Sequence, residues 1–107
     1  MIMVSTQIIL SKIKESVKAK EPDATIILFG SFARGDNHPE SDLDILILLD
    51  KEQINWEYRK KIRYDLYDIE FETGQMISPM VKSKKDWYNK YKATPFFESV
   101  NTEGIVL

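Results

Sequence analysis

The beginning of the chain has the periodicity of an amphipathic helix. Its apolar residues recur at helical spacing, which places them on one face: Ile9, Leu10, Ile13 and Val17. Ser5 can cap such a helix by accepting a hydrogen bond from a free backbone N–H group. Because the residue before Pro22 is disfavoured in helical conformation, the pattern predicts a helix that ends at about Glu21.

Two short aliphatic runs follow, and both are typical of buried strands. Thr25–Phe29 is the first and Leu43–Leu49 is the second. Each run is almost continuously apolar, as expected for a strand covered on both faces. Residues 30–41 between them are polar and rich in turn-forming residues, although Phe32 and Ala33 can start a short helix. The pattern predicts two neighbouring strands joined by this loop.

A longer helical pattern occupies residues 53–73. Charged residues separate its apolar positions, which are Ile62, Leu66, Ile69 and Phe71. Gly74 is a suitable residue to end this helix, because glycine adopts the left-handed conformation without strain. Residues 76–81 predict a third strand, and Pro79 favours an edge position for it because proline has no N–H group to donate.

The end of the chain predicts two short helices and a final strand. Ser83 can cap the first helix, and Thr94 followed by Pro95 can begin the second. Residues 105–107 are the last strand. This order predicts a mixed α/β or α+β fold, with a small mixed β-sheet flanked by helices. Since no repeat or linker divides the chain, residues 1–107 are expected to form a single domain.

Composition and charge narrow the class of protein. The 15 Lys and Arg residues and 17 Asp and Glu residues give a net charge of −2, which disfavours sequence-independent DNA binding. The absence of cysteine excludes disulfides, thiolate zinc sites, iron–sulfur clusters and cysteine nucleophiles. No apolar run approaches the ~20 residues of a membrane helix, and no signal peptide is recognisable. We therefore expect a cytoplasmic protein without membrane contact.

Two clusters elsewhere are less specific. Arg59, Lys60, Lys61 and Arg63 are interleaved with acidic residues, as on a solvated helix face. The aromatic residues are numerous, and we expect most of them in the core and some in a surface patch for another protein: Trp56, Tyr58, Trp87, Tyr88, Tyr91, Phe96 and Phe97.

Candidate chemistry is concentrated around the two strands. Asp42 and Asp44 are two residues apart, so on a strand their carboxylates point to the same face. Such carboxylates repel each other unless a cation lies between them. Mg²⁺ fits, because it accepts one or two carboxylates and takes its other ligands from water and phosphate. The alternative is a turn or cap residue at Asp42 and a strand-edge charge at Asp44.

The glycine that ends the first strand is a candidate phosphate-binding element. Gly30 allows backbone N–H groups to approach an anion closely, and the Ser31 hydroxyl can add a hydrogen-bond donor. The alternative is a tight turn that needs glycine for its backbone angles, with Ser31 as a helix cap. Together, the two motifs predict a phosphate-binding loop on one strand beside a metal-binding pair on the next.

The combination resembles a known family. Residues 30–35 and 41–44, Gly-Ser-Phe-Ala-Arg-Gly and Ser-Asp-Leu-Asp, are similar to the signature of the DNA polymerase beta-like nucleotidyltransferase superfamily, and the short chain resembles its minimal nucleotidyltransferase branch. The resemblance implies the nucleotidyltransferase fold. It also implies that Gly30 and Ser31 grip the triphosphate of a nucleoside triphosphate, ATP above all. Asp42 and Asp44 then hold Mg²⁺, in a one- or two-metal site, for attack on the α-phosphorus.

Arg34 also matches the family motif, and two roles are open for it. It either reaches a phosphate of the nucleotide or frames the loop through an ion pair with a neighbouring carboxylate. The acids close enough in sequence for such a pair are Asp36, Glu40 and Asp42.

One part of the family pattern is missing. Active members carry a third carboxylate on the strand after the long helix, where it serves as a metal ligand or a base. Residues 75–81 contain no acid, and Ser78 or a neighbour takes that place. Asp68, Glu70 and Glu72 are close by in sequence and are either substitutes or helix-surface charges. The sequence therefore predicts nucleotide and metal binding and leaves turnover open.

Three functions are compatible with these residues. The first is transfer of a nucleoside monophosphate, AMP, to an acceptor hydroxyl; the minimal branch resembles antitoxins encoded beside HEPN-domain ribonuclease toxins, which implies a HEPN-domain protein as partner and acceptor. The second is a catalytically degenerate binding module that neutralises a partner by contact. The third is transfer to a small molecule of aminoglycoside type, completed by dimerisation. The sequence leaves a homo-oligomer open.

Overall fold

The computed structural model describes residues 5–107 of the chain. The helices are α1 (Thr6–Lys20), α2 (Ser31–Arg34), α3 (Trp56–Thr73), α4 (Lys84–Lys90) and α5 (Pro95–Glu103). The strands are β1 (Thr25–Phe29), β2 (Leu43–Leu49), β3 (Ile77–Ser83) and β4 (Ile105–Val106). Helices and strands follow one another in the predicted order.

The strands form one mixed sheet in the order β3-β2-β1-β4. β1 is antiparallel to both β2 and β4, whereas β2 is parallel to β3. The antiparallel pair β1 and β2 is joined by the loop that contains α2. The parallel pair β2 and β3 needs a crossover connection, which α3 provides. The predicted class, a small mixed sheet flanked by helices, is confirmed.

Alternation along β2 divides the apolar core into two layers. One layer packs against α1 and α3 and takes from β2 the residues Leu43, Ile45, Ile47 and Leu49. Leu46 and Leu48 point to the opposite face, where Trp87 of α4 and Val100 of α5 cover them. This double burial explains the continuous apolar run. Because side chains alternate along a strand, Asp44 lies on the same face as Leu46.

β3 is an edge strand, as Pro79 predicts. The N–H of Leu43 donates to the carbonyl of Met76 at 2.9 Å, so alternate residues of β3 turn their backbone groups away from β2. Ile77 is one of these, and its N–H donates to Oε1 of Glu70 at 2.8 Å. Pro79 is the next, so the missing N–H of proline lies on the free edge of the sheet.

The ends of α1 and α3 are set by capping residues. The Ser5 hydroxyl accepts a hydrogen bond from the N–H of Ile8 at 3.3 Å, as predicted. Asn55 accepts from the N–H of Tyr58 at 2.8 Å, so α3 begins at Trp56, three residues later than the sequence pattern suggests. At the other end of α3, Gly74 has φ 75°, as expected for the residue that ends a helix.

Phe71 is the one apolar position of the α3 pattern that lies outside the buried face. The buried face of this helix carries Ile62, Leu66 and Ile69, whereas Phe71 is 92% exposed. Two residues beyond Ile69 correspond to a rotation of about 200° around the helix axis, which turns Phe71 toward solvent. Within residues 5–107, none of the helices is long and apolar enough to cross a membrane.

Candidate functional site

The predicted site residues converge at one end of the sheet. β1 ends at Phe29, which pairs with Asp44 of β2, and Asp44 in turn pairs with Ser78 of β3. Gly30 follows Phe29 directly, and Asp42 immediately precedes β2. The carboxyl end of β1 and the amino ends of β2 and β3 therefore bring the glycine, the two aspartates and the serine together.

Gly30 is required by both its backbone conformation and its contact with Asp44. Its φ of 77° and ψ of −157° lie in a region that is essentially restricted to glycine. A Cβ atom at this position would overlap with a carboxylate oxygen of Asp44. The absence of a side chain therefore lets the backbone that leaves β1 lie directly against the carboxylate of β2.

Ser31 begins α2, a single turn held by its own backbone. The first bond of this turn runs from the N–H of Arg34 to the carbonyl of Gly30 at 3.0 Å, so the N–H groups of residues 31–33 precede it. Gly35 ends the turn with φ 82° and donates to the carbonyl of Ser31 at 2.9 Å. The half-buried Ser31 hydroxyl has no hydrogen-bond partner among the described residues. This turn therefore presents hydrogen-bond donors beside the carboxylates.

Asp42 and Asp44 lie on the same face of the sheet end. The Ser78 hydroxyl donates to Oδ2 of Asp42 at 3.0 Å, and Ser78 is the residue in register with Asp44. Burial raises the pKa of the Asp44 carboxyl, the nearby Asp42 carboxylate raises this pKa further, and Arg34 lowers it. A cation between the two carboxylates would remove this repulsion.

The donor set fits Mg²⁺. Two carboxylates are the hard oxygen ligands that this ion prefers, and its remaining positions are normally filled by water and phosphate oxygens. Asp42 is exposed and Asp44 is half-buried, so both carboxylates remain accessible to solvent. Asp42 and Asp44 are therefore the residues that would hold the metal.

Arg34 is engaged by two carboxylates at the edge of the site. Its Nε donates to Asp36 at 3.2 Å and its Nη1 to Glu103 at 3.3 Å, and these hydrogen bonds raise the pKa of Arg34. The pairing with Asp36 agrees with the framing role considered for Arg34. Glu103, at the end of α5, could not be found from sequence because it is 69 residues away.

Ser78 lies on the strand where the family resemblance implies a third carboxylate. It lies on the strand after the long helix, in register with Asp44. Glu70 does not substitute, because it accepts the N–H of Ile77, and Asp68 and Glu72 are exposed on α3. Within residues 5–107, no group of three or more acidic, histidine or cysteine side chains is arranged to hold a metal. The site thus combines two carboxylates with one hydroxyl.

Ser41 and Gln75 hold the loop before Asp42 and were not assigned this role from the sequence. The buried Ser41 hydroxyl accepts the N–H of His38 at 2.9 Å. The Gln75 amide donates to the carbonyls of Ser41 and Met76, both at 2.9 Å. The Ser-Asp-Leu-Asp motif contained a signal for Ser41, whereas Gln75 comes from a distant part of the chain.

A cavity of about 500 Å³ lies at the other end of β2. It is lined mainly by charged residues of the loop after β2 and of α4. Its acids are paired with its lysines, Glu52 with Lys85 at 3.0 Å and Asp86 with Lys90 at 3.7 Å. This cavity is separate from the Asp42 and Asp44 site.

Comparison with known proteins identifies the family. The family model described as "Nucleotidyltransferase domain" matches residues 10–98. The chain therefore belongs to the nucleotidyltransferase domain family, and this bears out the resemblance of the two sequence motifs.

Two similar proteins come from Methanocaldococcus jannaschii and are named "Putative protein adenylyltransferase MJ0141" and "Putative protein adenylyltransferase MJ0604". The first is 41% identical over 86 residues, which are 75% of this chain and 74% of the relative. The second is 39% identical over 82 residues, with coverage of 77% and 75%. The similarity thus extends over most of both relatives.

More distant similarities concern a segment or the fold. The "Bifunctional uridylyltransferase/uridylyl-removing enzyme" of Pseudomonas aeruginosa is 40% identical over 60 residues, but these cover only 7% of that enzyme. A solved structure, "Crystal structure of the toxin-antitoxin with AMP-PNP", superposes with a TM-score of 0.64 at 21% identity, covering 90% of this chain and 69% of that one. It shows that the two chains share a fold.

The contact between Gly30 and Asp44 can be tested by a double-mutant cycle. Gly30→Ala should lower the free energy of unfolding by ~1–3 kcal/mol from backbone strain alone, and by more because of the overlap with Asp44. In an Asp44→Ala background the overlap is gone, so the cost should fall by ~0.5–3 kcal/mol. Gly35→Ala is the control, since a Cβ there meets no atom within 4 Å. The free energies of unfolding are measured in urea. Equal coupling energies of Gly30→Ala and Gly35→Ala with Asp44→Ala would contradict the contact between Gly30 and Asp44.

The raised pKa of Asp44 predicts a pH-dependent gain from Asp44→Asn. The stability linked to protonated Asp44 is complete below the ordinary carboxyl pKa and is lost as pH rises through the raised value. Asparagine keeps the shape without the charge, so without divalent ions the variant should melt at a higher temperature than the parent at pH 7. The gain should disappear below pH ~3.9. The assignment would be refuted if the difference in Tm between Asp44→Asn and the parent stays the same from about pH 3 to about pH 8, a range that extends to both sides of the ordinary carboxyl pKa.

Proposed function

We propose that this chain binds ATP with Mg²⁺ and transfers AMP to a hydroxyl group of a partner protein. One observation carries the proposal: Gly30 lies against Asp44, so the turn that begins at Ser31 and the Asp42 and Asp44 pair share one end of the sheet. Membership of the nucleotidyltransferase domain family supports the same chemistry.

The residues of this site would act mainly by positioning. The Ser31 hydroxyl and the N–H groups at the start of α2 would donate hydrogen bonds to the terminal phosphates. Asp42 and Asp44 would hold Mg²⁺, which when bound neutralises phosphate charge and orients the triphosphate. The acceptor oxygen would then form a bond to the α-phosphorus while the bond from the α-phosphorus to the oxygen that bridges to the β-phosphate breaks, so that pyrophosphate leaves and the acceptor proton passes to water. Such a reaction depends on positioning and electrostatic stabilisation more than on covalent chemistry.

Ser78 would make this transfer slow. An uncharged hydroxyl that already donates to Asp42 cannot accept the proton of the acceptor as a carboxylate can. General-base help is worth roughly 10²–10⁴-fold, and its loss would leave proximity as the main source of acceleration. A partner that holds its hydroxyl in line with the α-phosphorus would recover part of the rate.

The choice of a protein acceptor rests on the relatives. Two relatives are named as protein adenylyltransferases, and the alignments cover about three quarters of each. The solved structure with the same fold is described as a toxin-antitoxin with AMP-PNP. These names support AMP as the transferred group and a protein as acceptor, and the family resemblance of the motif adds a HEPN-domain toxin as the specific partner.

A second function is favoured by Ser78 itself. With a hydroxyl in the third position, the chain would bind nucleotide and neutralise its partner by contact, without transfer. The two functions share the nucleotide site and differ only in turnover, so they can be separated by experiment.

Nucleotide binding is the first test. Saturating Mg²⁺–ATP should raise the Tm of the parent, since a ligand that binds only the native state adds about 2.7 kcal/mol at 100 times its Kd. Asp44→Asn should remove this increase. Asp50→Asn is the matched control, because Asp50 is exposed at the opposite end of β2, and it should keep the increase. Full retention of the Tm increase in Asp44→Asn would exclude Asp44 as a metal ligand.

A gain of activity is the second test. Ser78→Asp supplies the third carboxylate in register with Asp44, so AMP transfer to a HEPN-domain partner should become faster, by up to roughly 10²–10⁴-fold. Ser78→Asn matches the size without the charge and should give no gain. The measurement is the rate at which intact partner protein gains the mass of one AMP. The prediction fails if both variants react at the rate of the parent.

The contact-only function has its own decisive comparison. The parent and a Ser31→Ala, Asp42→Asn double variant are assayed for neutralisation of the partner and for change in its mass. Transfer predicts that the double variant loses both effects. Equal neutralisation by the two proteins, with no mass change in either case, would replace the enzyme by the contact module.

A further inference from the structure

An aromatic stripe runs along the outer face of α3. Its members are spaced by three or four residues, so they share one side of the helix: Trp56, Lys60, Tyr64, Tyr67 and Phe71. Phe71 is 92% exposed and Trp56 is 65% exposed. The buried face of α3 is on the opposite side, and carries Ile62, Leu66 and Ile69. We call these five residues the α3 stripe.

The α3 stripe is ordered by contacts among its own residues. The ammonium group of Lys60 lies 4.8 Å from the ring centroid of Trp56 and 5.3 Å from that of Tyr64. The rings of Tyr64 and Tyr67 are 6.1 Å apart. Large aromatic residues that are arranged in this way but left in water are typical of a protein interface.

The charges of α3 are divided between its two halves. After Glu57 in the first turn, the first half carries the bases Arg59, Lys60, Lys61 and Arg63, and the second half carries the acids Asp65, Asp68, Glu70 and Glu72. Glu57 agrees with the helix dipole, which favours acids near the beginning, but the acids near the end of α3 lie where the dipole favours bases. The isolated helix therefore loses stability through this arrangement.

Contacts within the chain account for only part of the charge pattern. Asp65 pairs with Lys20, and Glu70 accepts the N–H of Ile77. Lys61, Asp68 and Glu72 are exposed and form no ion pair with any described residue. These three charges border the α3 stripe.

We propose that α3 is a homodimer interface, in which two copies of the chain pair their α3 stripes in antiparallel orientation. A two-fold axis near Tyr64 brings the basic half of each helix opposite the acidic half of the other. Lys60 and Lys61 of one copy then meet Asp68 and Glu72 of the second copy. Such a surface is complementary to itself, which is the requirement for a two-fold interface.

The dimer would leave the nucleotide site accessible. α3 packs on the face of the sheet formed by Ile45 and Ile47, whereas Asp44 lies on the opposite face with Leu46. An 18-residue helix is about 27 Å long, so the contact is small and we expect a dissociation constant in the micromolar range. Pairing of α3 is independent of the proposed AMP transfer.

The test uses charge reversal. The Lys60→Glu, Lys61→Glu variant carries acids at and beside the α3 stripe in both halves of the helix, and the Asp68→Lys, Glu72→Lys variant carries bases there in both halves. Each variant alone should be monomeric in analytical ultracentrifugation at concentrations where the parent is a dimer. An equimolar mixture of the two should form a heterodimer, because each half of one helix again meets the opposite charge.

Controls separate interface loss from misfolding. Phe71→Ser should also weaken the dimer, whereas Tyr88→Ala, an exposed aromatic residue of α4, should leave it unchanged. All variants should retain the Tm increase with Mg²⁺–ATP if the parent shows one, so failure of the nucleotide proposal does not affect this test. A parent that is monomeric at millimolar concentration overturns the proposal. The proposal is also overturned if the two charge-reversal variants are folded but stay monomeric when mixed. The α3 stripe would then be assigned to contact with a different protein.

Discussion

The close approach of Gly30 to the carboxylate of Asp44 is the constraint on which the site depends. Antiparallel pairing of β1 with β2 places Phe29 opposite Asp44, so the next residue must pass over the carboxylate. Only glycine fits there, because its φ is positive and a Cβ would overlap with the carboxylate. The turn that begins at Ser31 thereby places its hydrogen-bond donors at the same end of the sheet as Asp44 of β2 and Asp42, which precedes β2.

The apolar layer under α4 and α5 holds the end of β1 and the α2 turn in place. The same layer makes ionisation of the Asp44 carboxyl less favourable. Phe29 packs edge-on against Phe96 with ring centroids 5.4 Å apart, and the ion pair of Arg34 with Glu103 ties α2 to the end of α5. Asp44 continues the same face, and burial raises the pKa of its carboxyl. A carboxyl group whose pKa is shifted by burial and by a neighbouring carboxylate is typical of functional sites.

The two faces of the sheet have different roles in our interpretation. The face that carries Asp44 is completed by short helices and exposes the proposed nucleotide site. The other face is covered by α1 and α3, and α3 presents its aromatic and charged residues outward. Because the sheet separates these surfaces, nucleotide chemistry on one side and association on the other need not interfere. In the proposed function, Ser78 stands where a third carboxylate is expected, and the rate of transfer is expected to depend on it.

Local pattern was sufficient to predict most of the elements and the composition of the site. The faces of helices and strands follow from periods of 3.6 and 2 residues, so the common direction of Asp42 and Asp44 was predictable from their spacing. The edge position of β3 followed from the missing N–H of Pro79. Only the tertiary structure decided three other features of the site. These are the ion pair of Arg34 with Glu103, the hydrogen bond from the N–H of Ile77 to Glu70, and the register of Ser78 with Asp44. Each of these depends on which strands pair and which helix face is covered, and both are set by contacts between segments far apart in the chain, which no local period contains.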